Sequence, residues 1–491
     1  MANFFDVAAS VPPAPPRRDP QRARVEAARV ASTRKIAASY DAAATNDDNK
    51  KHWANADALS PVGANTESVR KTIRERARYE TANNSYLKGI VSTLSTTLVG
   101  KAGPRLQATT GDPELNKAIE AAWSIWAAEI RLASKLRTLK TAKTVDGEAF
   151  GVFRSNDALR TSVKLDLSLV EADQVTTPDI RYWANPYHVD GMKLDDYGNV
   201  IEYHVLKYHP GDAWFGFTLE YDRFPADRVV QWFRTDRPGQ LRGISELSPA
   251  LHLFGQMRRF TLATLTAAET AAMFAAVLKT ISSGNADEGD APEYWSTQEI
   301  VKGMMTVMPD GYDLTQFKAE HPLTTMEMFI KLLLREACRC LCLPWNIAAG
   351  DSSSFNFSSA RLDHLIFRDS VEVERVDCER EVLDPLFGEW LEEASRIPKL
   401  LPQSIAAFLA GVPHKWHWPA WAILDPTTEA AADTERLTNG TATLADVCGA
   451  QGKDWQEVIR QQEIEAAYRA KVKRELGVVE TGLPQPAESQ P

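Results

Sequence analysis

Two stretches decide the fold: residues 246–279, ELSPALHLFGQMRRFTLATLTAAETAAMFAAVLK, and residues 324–343, TTMEMFIKLLLREACRCLCL. Each reads as one long helix. Pro249 is tolerable only in a first turn, and Pro344 stops the second stretch. At ~1.5 Å per residue the first would span roughly 50 Å. Between them, 281–321 sets Asp287, Glu288, Asp290, Glu293, Glu299, Asp310, Asp313 and Glu320 against Lys302 and Lys318 alone, with β character at Met304–Met308. Two long helices bracketing a small acidic module predict a stalk with a tip.

Upstream of the breaker Arg237-Pro238-Gly239-Gln240 the pattern is mixed. A helix is expected from about Glu67 to Leu98, capped by Asn65 or Thr66 and stopped at Gly100-Lys101-Ala102-Gly103-Pro104. Its middle, Arg70 to Arg78, is the densest basic run of the chain. From Pro113 to about Ala133, Leu115, Ile119, Trp123, Trp126 and Ile130 fall at spacings of three and four, one apolar stripe of a second helix. Between about Gly147 and Phe233 the period becomes two: Val163, Leu165, Leu167 and Leu169 alternate with polar residues, Gly191–His209 reads as a hairpin, and Val229–Phe233 as a strand. Residues 41–245 are therefore expected to be an α+β domain. Residues 1–40, with five prolines and seven basic against three acidic side chains, read as a basic, disordered arm.

Downstream, 345–358 is a polar loop containing Asp351-Ser352-Ser353-Ser354-Phe355-Asn356-Phe357-Ser358. A third long helix is expected from Ser359 to about Arg396, kinked at Asp384-Pro385. Leu362, Ile366, Val373, Val376, Leu383, Phe387 and Trp390 track one of its faces; Arg361, Arg368 and Arg375 recur every seven residues on another. The arginines are interleaved with acids further along the helix. After Pro426 the chain reads as helical and charged to about Leu476, then as a disordered tail over 477–491.

Composition narrows the function. The 491 residues carry a net charge of −10, so the chain as a whole is no electropositive glove for nucleic acid. Five cysteines exclude a disulfide scaffold, and Cys338-x-Cys340-x-Cys342 lacks zinc-ribbon spacing, so no metal site is read there. The longest uncharged stretch, Leu400–Pro413, falls short of the ~18 apolar residues a membrane span needs. No phosphate-cradling G-x4-G-K-[S/T], no G-x-S-x-G elbow and no H-E-x-x-H helix occurs, which argues against an ATPase or a common hydrolase and implies no cofactor. His414-Lys415-Trp416-His417-Trp418 lacks a nearby acid or cysteine and reads as packing.

Five stretches in order resemble the portal proteins of long-tailed bacteriophages, in their lambda-type branch. They are Arg76–Asn84 with Val99-Gly100; Gly191–Pro210, ending YHVLKYHP; Arg237–Gly243; Asp351–Arg361, DSSSFNFSSAR; and Trp416–Ala431, WHWPAWAILDPTTEAA, leading to Asn439-Gly440. Together they span roughly 50–470. Phe357 stands where the family commonly has tyrosine, and Thr428 where it has lysine.

The resemblance implies a dodecameric ring at one capsid vertex, the channel for packaging and ejecting double-stranded DNA, assembled in the host cytoplasm and carried in the virion. It implies partners: the terminase large subunit, a head–tail connector or adaptor protein, the major capsid protein and scaffold, and no membrane. It implies a non-enzymatic role, ATP hydrolysis belonging to the terminase. In such a ring Arg361, Arg368 and Arg375, which share their helix with acids, would suit salt bridges between subunits. By the same analogy 41–245 and the long helix within 359–426 form the wing, and 246–280 and 322–343 the stem helices. The clip would be 281–321, with Asp287, Glu288, Asp290 and Glu293 forming an acidic ring. Residues 344–358 would be the tunnel loop, presenting Ser352, Ser353, Ser354, Phe355, Asn356 and Phe357 to the channel, and 427–476 the crown. An acidic passage would let a duplex slip where a basic one would grip its phosphates. Rival readings are another ring-forming assembly protein, which leaves the stalk and tip unexplained, and a carboxylate-dependent nuclease.

Overall fold

One asparagine splits the first long helix. After a single turn, α1 (Pro61–Ala64), the chain forms α2 (Glu67–Asn83) and α3 (Ser85–Val99) where one helix was expected. Asn84 leaves helical geometry, with φ −116° and ψ 116°, and its side-chain oxygen accepts from the N–H groups of Tyr86 and Leu87, capping α3. The computed structural model describes residues 47, 50–177, 185, 187–212, 220–273, 277–280, 312–315, 323–353, 356–408, 411–421, 426–451, 453 and 455–476. The chain divides into two units, Met1–Ser60 and Pro61–Pro491. In the first, Ala56 N–H donates to Trp53 O and Lys50 pairs with Asp47 at 2.8 Å. All that follows concerns the second.

Strand β1 (Arg105–Ala108) precedes α4 (Pro113–Glu129), which Asp112 caps and which buries Leu115, Ile119, Trp123 and Trp126, the stripe read from spacing. That helix was expected to reach Ala133. Instead Arg131 takes a left-handed φ of 56° and a new helix, α5 (Leu132–Asp146), begins. It shows no clean stripe because it is enclosed on several sides: Leu136 and Leu139 are buried, and so are Lys140 and Lys143.

Strands β2 (Glu148–Ser155) and β3 (Leu165–Val170) pair antiparallel, Phe150 opposite Val170, and β8 (Val229–Phe233) closes the other edge of β2. Strand β2 is buried over six consecutive residues. Ala149 and Phe153 join the main core, whereas Phe150 and Val152 join a second core with Val175, Met192, Tyr203 and Val205. That second core lies under a four-stranded antiparallel sheet: β4 (His188–Val189), β5 (Met192–Leu194), β6 (Val200–Leu206) and β7 (Tyr221–Pro225). The expected hairpin is its β5–β6 arm, turned by Asp195–Asn199, where Asp195 accepts from the N–H groups of Tyr197 and Asn199.

Helix α6 (Leu251–Met273) starts after Pro249 and ends six residues before the expected Lys279. The chain there becomes strand β9 (Val277–Thr280), antiparallel to β10 (Tyr312–Thr315), with Val277 opposite Thr315. The expected β segment Met304–Met308 lies outside the described residues. Helix α7 (Leu323–Arg339) returns toward the body. Leu253, Phe254 and Met257 meet Leu333, Leu334 and Ala337 in the main core, and Phe260 and Phe329 continue the pairing with ring centroids 4.8 Å apart. A short α8 (Trp345–Ala349) leads to the third long element.

That element is a rod of three parts: α9 (Phe357–Cys378), a π-helical turn over Glu379–Leu383, and α10 (Asp384–Arg396). Pro385 offers no N–H and its ring crowds the carbonyl four residues back; the π turn relieves this, with Asp384 N–H bonding Glu379 O. One extra residue in a turn rotates everything beyond it by about 100°. The apolar stripe is therefore continuous in sequence and broken in space. Leu383, Phe387 and Trp390 are buried, while Leu362, Ile366, Val373 and Val376 are 60, 51, 65 and 41% exposed. The buried face of α9 is Phe367, Val371, Arg375 and Cys378. Strand β11 (His414–His417) pairs with β1, and helices α11 (Pro426–Thr438), α12 (Leu444–Ala450) and α13 (Trp455–Glu475) follow.

Candidate functional site

The segment between α7 and α9 is where the sequence put its candidate channel residues. Helix α7 ends at Arg339, Cys342 beyond it takes a left-handed φ of +52°, and Pro344 caps α8. Gly350, left-handed at φ +66°, closes α8 and throws the chain outward. Asp351 Oδ1 then accepts from Ser353 N–H at 2.9 Å, an Asx turn, and the Ser353 hydroxyl and amide together hold the carboxyl below its usual pKa. The base of the segment is fixed to α7, since Lys331 and Arg335 lie 5.7 and 4.9 Å from the Trp345 ring centroid. Buried Asn346 reaches His364 of α9 at 3.4 Å. Ser352, Ser353 and Asn356 are exposed, and Phe357 is the first residue of α9. Ser354 and Phe355 lie outside the described residues, as do the acids Asp287, Glu288, Asp290 and Glu293.

The three arginines of α9 part company. Arg361 is exposed. Arg368 is half-buried with its guanidinium 5.2 Å from the Trp421 ring. Arg375 differs from the expected inter-subunit role, because its guanidinium is used up inside its own chain. It donates to Leu98 O (3.2 Å), Thr97 O (3.4 Å), Pro419 O (3.2 Å) and Glu372 (2.7 Å), and stacks near Trp418 and Trp421. Leu98 and Thr97 lie in the last turn of α3, so a cation here satisfies orphan carbonyls at the negative end of a helix. Burial lowers its pKa from the usual arginine value. Heptad spacing identified all three arginines but could not say which face the core would take.

The same unit holds a frame of buried charge. Gly147 ends α5 at φ +94°, and a Cβ there would sit 2.3 Å from the backbone of Ile244; a Cβ on Gly243 would sit 2.1 Å from Gly147 O. Two glycines thus let two backbones touch. Their neighbours become partners: Arg242 bonds Glu148 through Nε (2.8 Å) and Nη2 (2.6 Å), both side chains fully enclosed. Burial alone would raise the Glu148 pKa, but the charge and hydrogen bonds of Arg242 outweigh it and hold the carboxyl below its ordinary value. Three residues on, Glu246 receives Lys143 at 2.7 Å and Lys140 at 3.2 Å, and both lysines also reach Glu374 of α9. Burial again opposes and the lysines again win, so Glu246 is held far below the carboxylate range. This cluster binds α5, the entry to α6 and the rod into one rigid junction. The sequence had marked Arg237–Gly243 only as a breaker and a resemblance; the lysines were hidden in a helix it had passed over.

Two further clusters were tested as sites. Glu171, Asp173 and His209 bring three ligand atoms within 4.8 Å of one another. Arg78 already occupies them, at 3.1 Å from Glu171 and 2.8 Å from Asp173, and His209 Nδ1 accepts from Gly211 N–H, which leaves Nε2 protonated rather than free to ligate. His414 and Trp416 both donate to Asp384, Trp418 Nε1 donates to Glu379 at 2.6 Å, and His417 meets Gln107, so this segment packs against the rod.

The sequence model of the phage portal protein, lambda family, matches residues 49–375. A curated relative, a probable portal protein of Halomonas phage phiHAP-1, is 23% identical over 412 residues, covering 80% of this chain and 79% of its own. Among solved structures, a chain from the neck of an empty GTA particle matches at a TM-score of 0.47 and 11% identity, over 77% of this chain and 93% of that one. A chain from the virion of a native gene transfer agent particle matches at 0.41 and 11%, over 83% and 99%. With two thirds of its length matched, the chain belongs to the lambda family of phage portal proteins.

Proposed function

We propose that copies of this chain close into a dodecameric ring at a single capsid vertex and that double-stranded DNA enters and leaves through its centre. Family membership carries the reading. It is supported by two antiparallel helices, α6 and α7, rooted in the main core, with an exposed Ser- and Asn-bearing loop fixed at the base of one of them. In this reading α6 and α7 are the stem, β9 and β10 belong to the clip, 352–357 is the tunnel loop, and α11 to α13 form the crown. The role is structural, with the terminase large subunit as motor, the head–tail adaptor as later occupant of the clip, and major capsid protein and scaffold around the wing. The acids Asp287, Glu288 and Asp290 lower DNA friction or dock these partners. Their replacement by Asn or Gln would then alter packaging or motor docking, and unchanged packaging and docking would remove that role from them.

The test is the native mass of the purified protein with electron images of the same sample. Twelve chains of 54.5 kDa give a species near ~650 kDa. A ring with a central hole at that mass is expected; a closed oligomer without a hole would contradict the reading.

A further inference from the structure

Helix α9 carries a second apolar face that the described residues of its own chain leave exposed. Leu362, Ile366, Asp369, Val373, Val376 and Arg380 follow one another at spacings of 4, 3, 4, 3 and 4, and each of these side chains is exposed. That alternation is the seam of a helix prepared for another helix. Asp363 and Asp377 flank it on one side and Glu372 and Arg361 on the other, so apart from Arg361 and Arg380 the charges of the seam and its rim are acidic.

The same unit holds a complementary surface. Between α2 and the first turns of α6 lies a cavity of about 470 Å³ lined by Ile73, Arg76, Tyr79 and Leu251 among others, open to solvent. Exposed Val69, one turn before Ile73, continues its α2 wall, and Arg76 in its lining and Arg259, two turns beyond its lining residue His252, are exposed. Glu80, at its floor, is already paired with Arg258 at 2.9 Å, and that arginine lies 5.0 Å from the Tyr79 ring. The groove thus has Ile73, Tyr79 and Leu251 within it and Arg76 and Arg259 at its edge, beside Glu75, which has the sign to meet Arg361 or Arg380. Helices α2 and α9 each rest an inner face on α3, and the outer faces that carry groove and seam are both exposed. Two different surfaces of one chain that fit each other make a head-to-tail contact, and such contacts close rings.

We infer that the outer seam of α9 in one subunit seats in the α2–α6 groove of the next copy, and that this contact is the lateral joint of the ring. The inference rests on the ring reading above and names the surfaces that reading leaves open. It also moves the joint from the arginine face, where Arg375 is consumed, to the aliphatic face a third of a turn or more away.

The experiment has two arms, both run on the full chain. Val373→Glu places a charge mid-seam on an exposed side chain; the dissociated chain should keep its circular dichroism and melting temperature while ring yield falls about tenfold or more. A photo-crosslinking side chain at position 373, in otherwise native protein, should give inter-subunit adducts within 69–80 or 248–259, and this arm decides the matter if Val373→Glu fails to fold. Normal ring yield from Val373→Glu, adducts mapped elsewhere, or no inter-subunit adduct in assembled rings would overturn the inference. Native protein that never closes a ring contradicts the portal reading itself, and this inference falls with it.

Discussion

The two halves of the rod 357–396 share one hydrophobic pattern and put it to opposite uses. Beyond the π turn, Leu383, Phe387 and Trp390 enter a packed aromatic core in which Trp123 meets Trp390 and Phe387 edge-on at 5.3 and 5.4 Å. Before it, the same stripe faces solvent, and the inner face is held instead by an arginine on three carbonyls and by Glu374 under two lysines. A half packed on its own chain is stabilised within the monomer; a half with a bare aliphatic seam is finished by a neighbour. Hydrophobic periodicity alone reports that a face is buried somewhere, not in which molecule.

The largest effect that would break this comparison is expected in the inner half. Trp390→Ala empties a fully buried site and should cost about 4 kcal/mol of chain stability, read as a lowered denaturant midpoint. Next comes the frame, where Glu148→Gln strands Arg242 in the interior and should cost about 3 kcal/mol. The same frame sets an acid limit. Glu148 and Glu246 have folded pKa values below their ordinary value of 4.5, so their contribution is complete above that pH and is lost as pH falls through the depressed values. An acid titration followed by tryptophan fluorescence should show this loss, smaller in Glu148→Gln. Arg375→Met, which keeps the stem but drops the carbonyl bonds, should cost about 2 kcal/mol and loosen the end of α3 in hydrogen exchange. Val373→Ser should change chain stability by less than about 0.5 kcal/mol while weakening assembly, which separates the two halves most sharply.

Much of the local structure was legible in the sequence. The α4 stripe, the β5–β6 hairpin, strand β8 and the long helices before and after the tip could be read because period, turn residues and prolines act locally. What escaped reading depended on distant chain. Helix α5 buries lysines whose partners, Glu246 and Glu374, lie over 100 and over 200 residues away, so its pattern looked polar. Arg375 looked like its heptad mates because only the approach of Leu98 and Pro419 distinguishes it. The extra residue of the π turn left no trace beyond Pro385, yet it decides which apolar side chains stay outside. The loop Asp351–Phe357 was found by resemblance and polarity together; its fixing to α7 through Trp345 was not foreseen.

The most direct measurement is hydroxyl-radical footprinting of the isolated chain and of the assembled ring. Leu362, Ile366, Val373 and Val376 should label freely in the isolated chain and be protected in the ring, while Leu383, Phe387 and Trp390 stay protected in both. Equal labelling of the four outer residues in chain and ring would contradict the account.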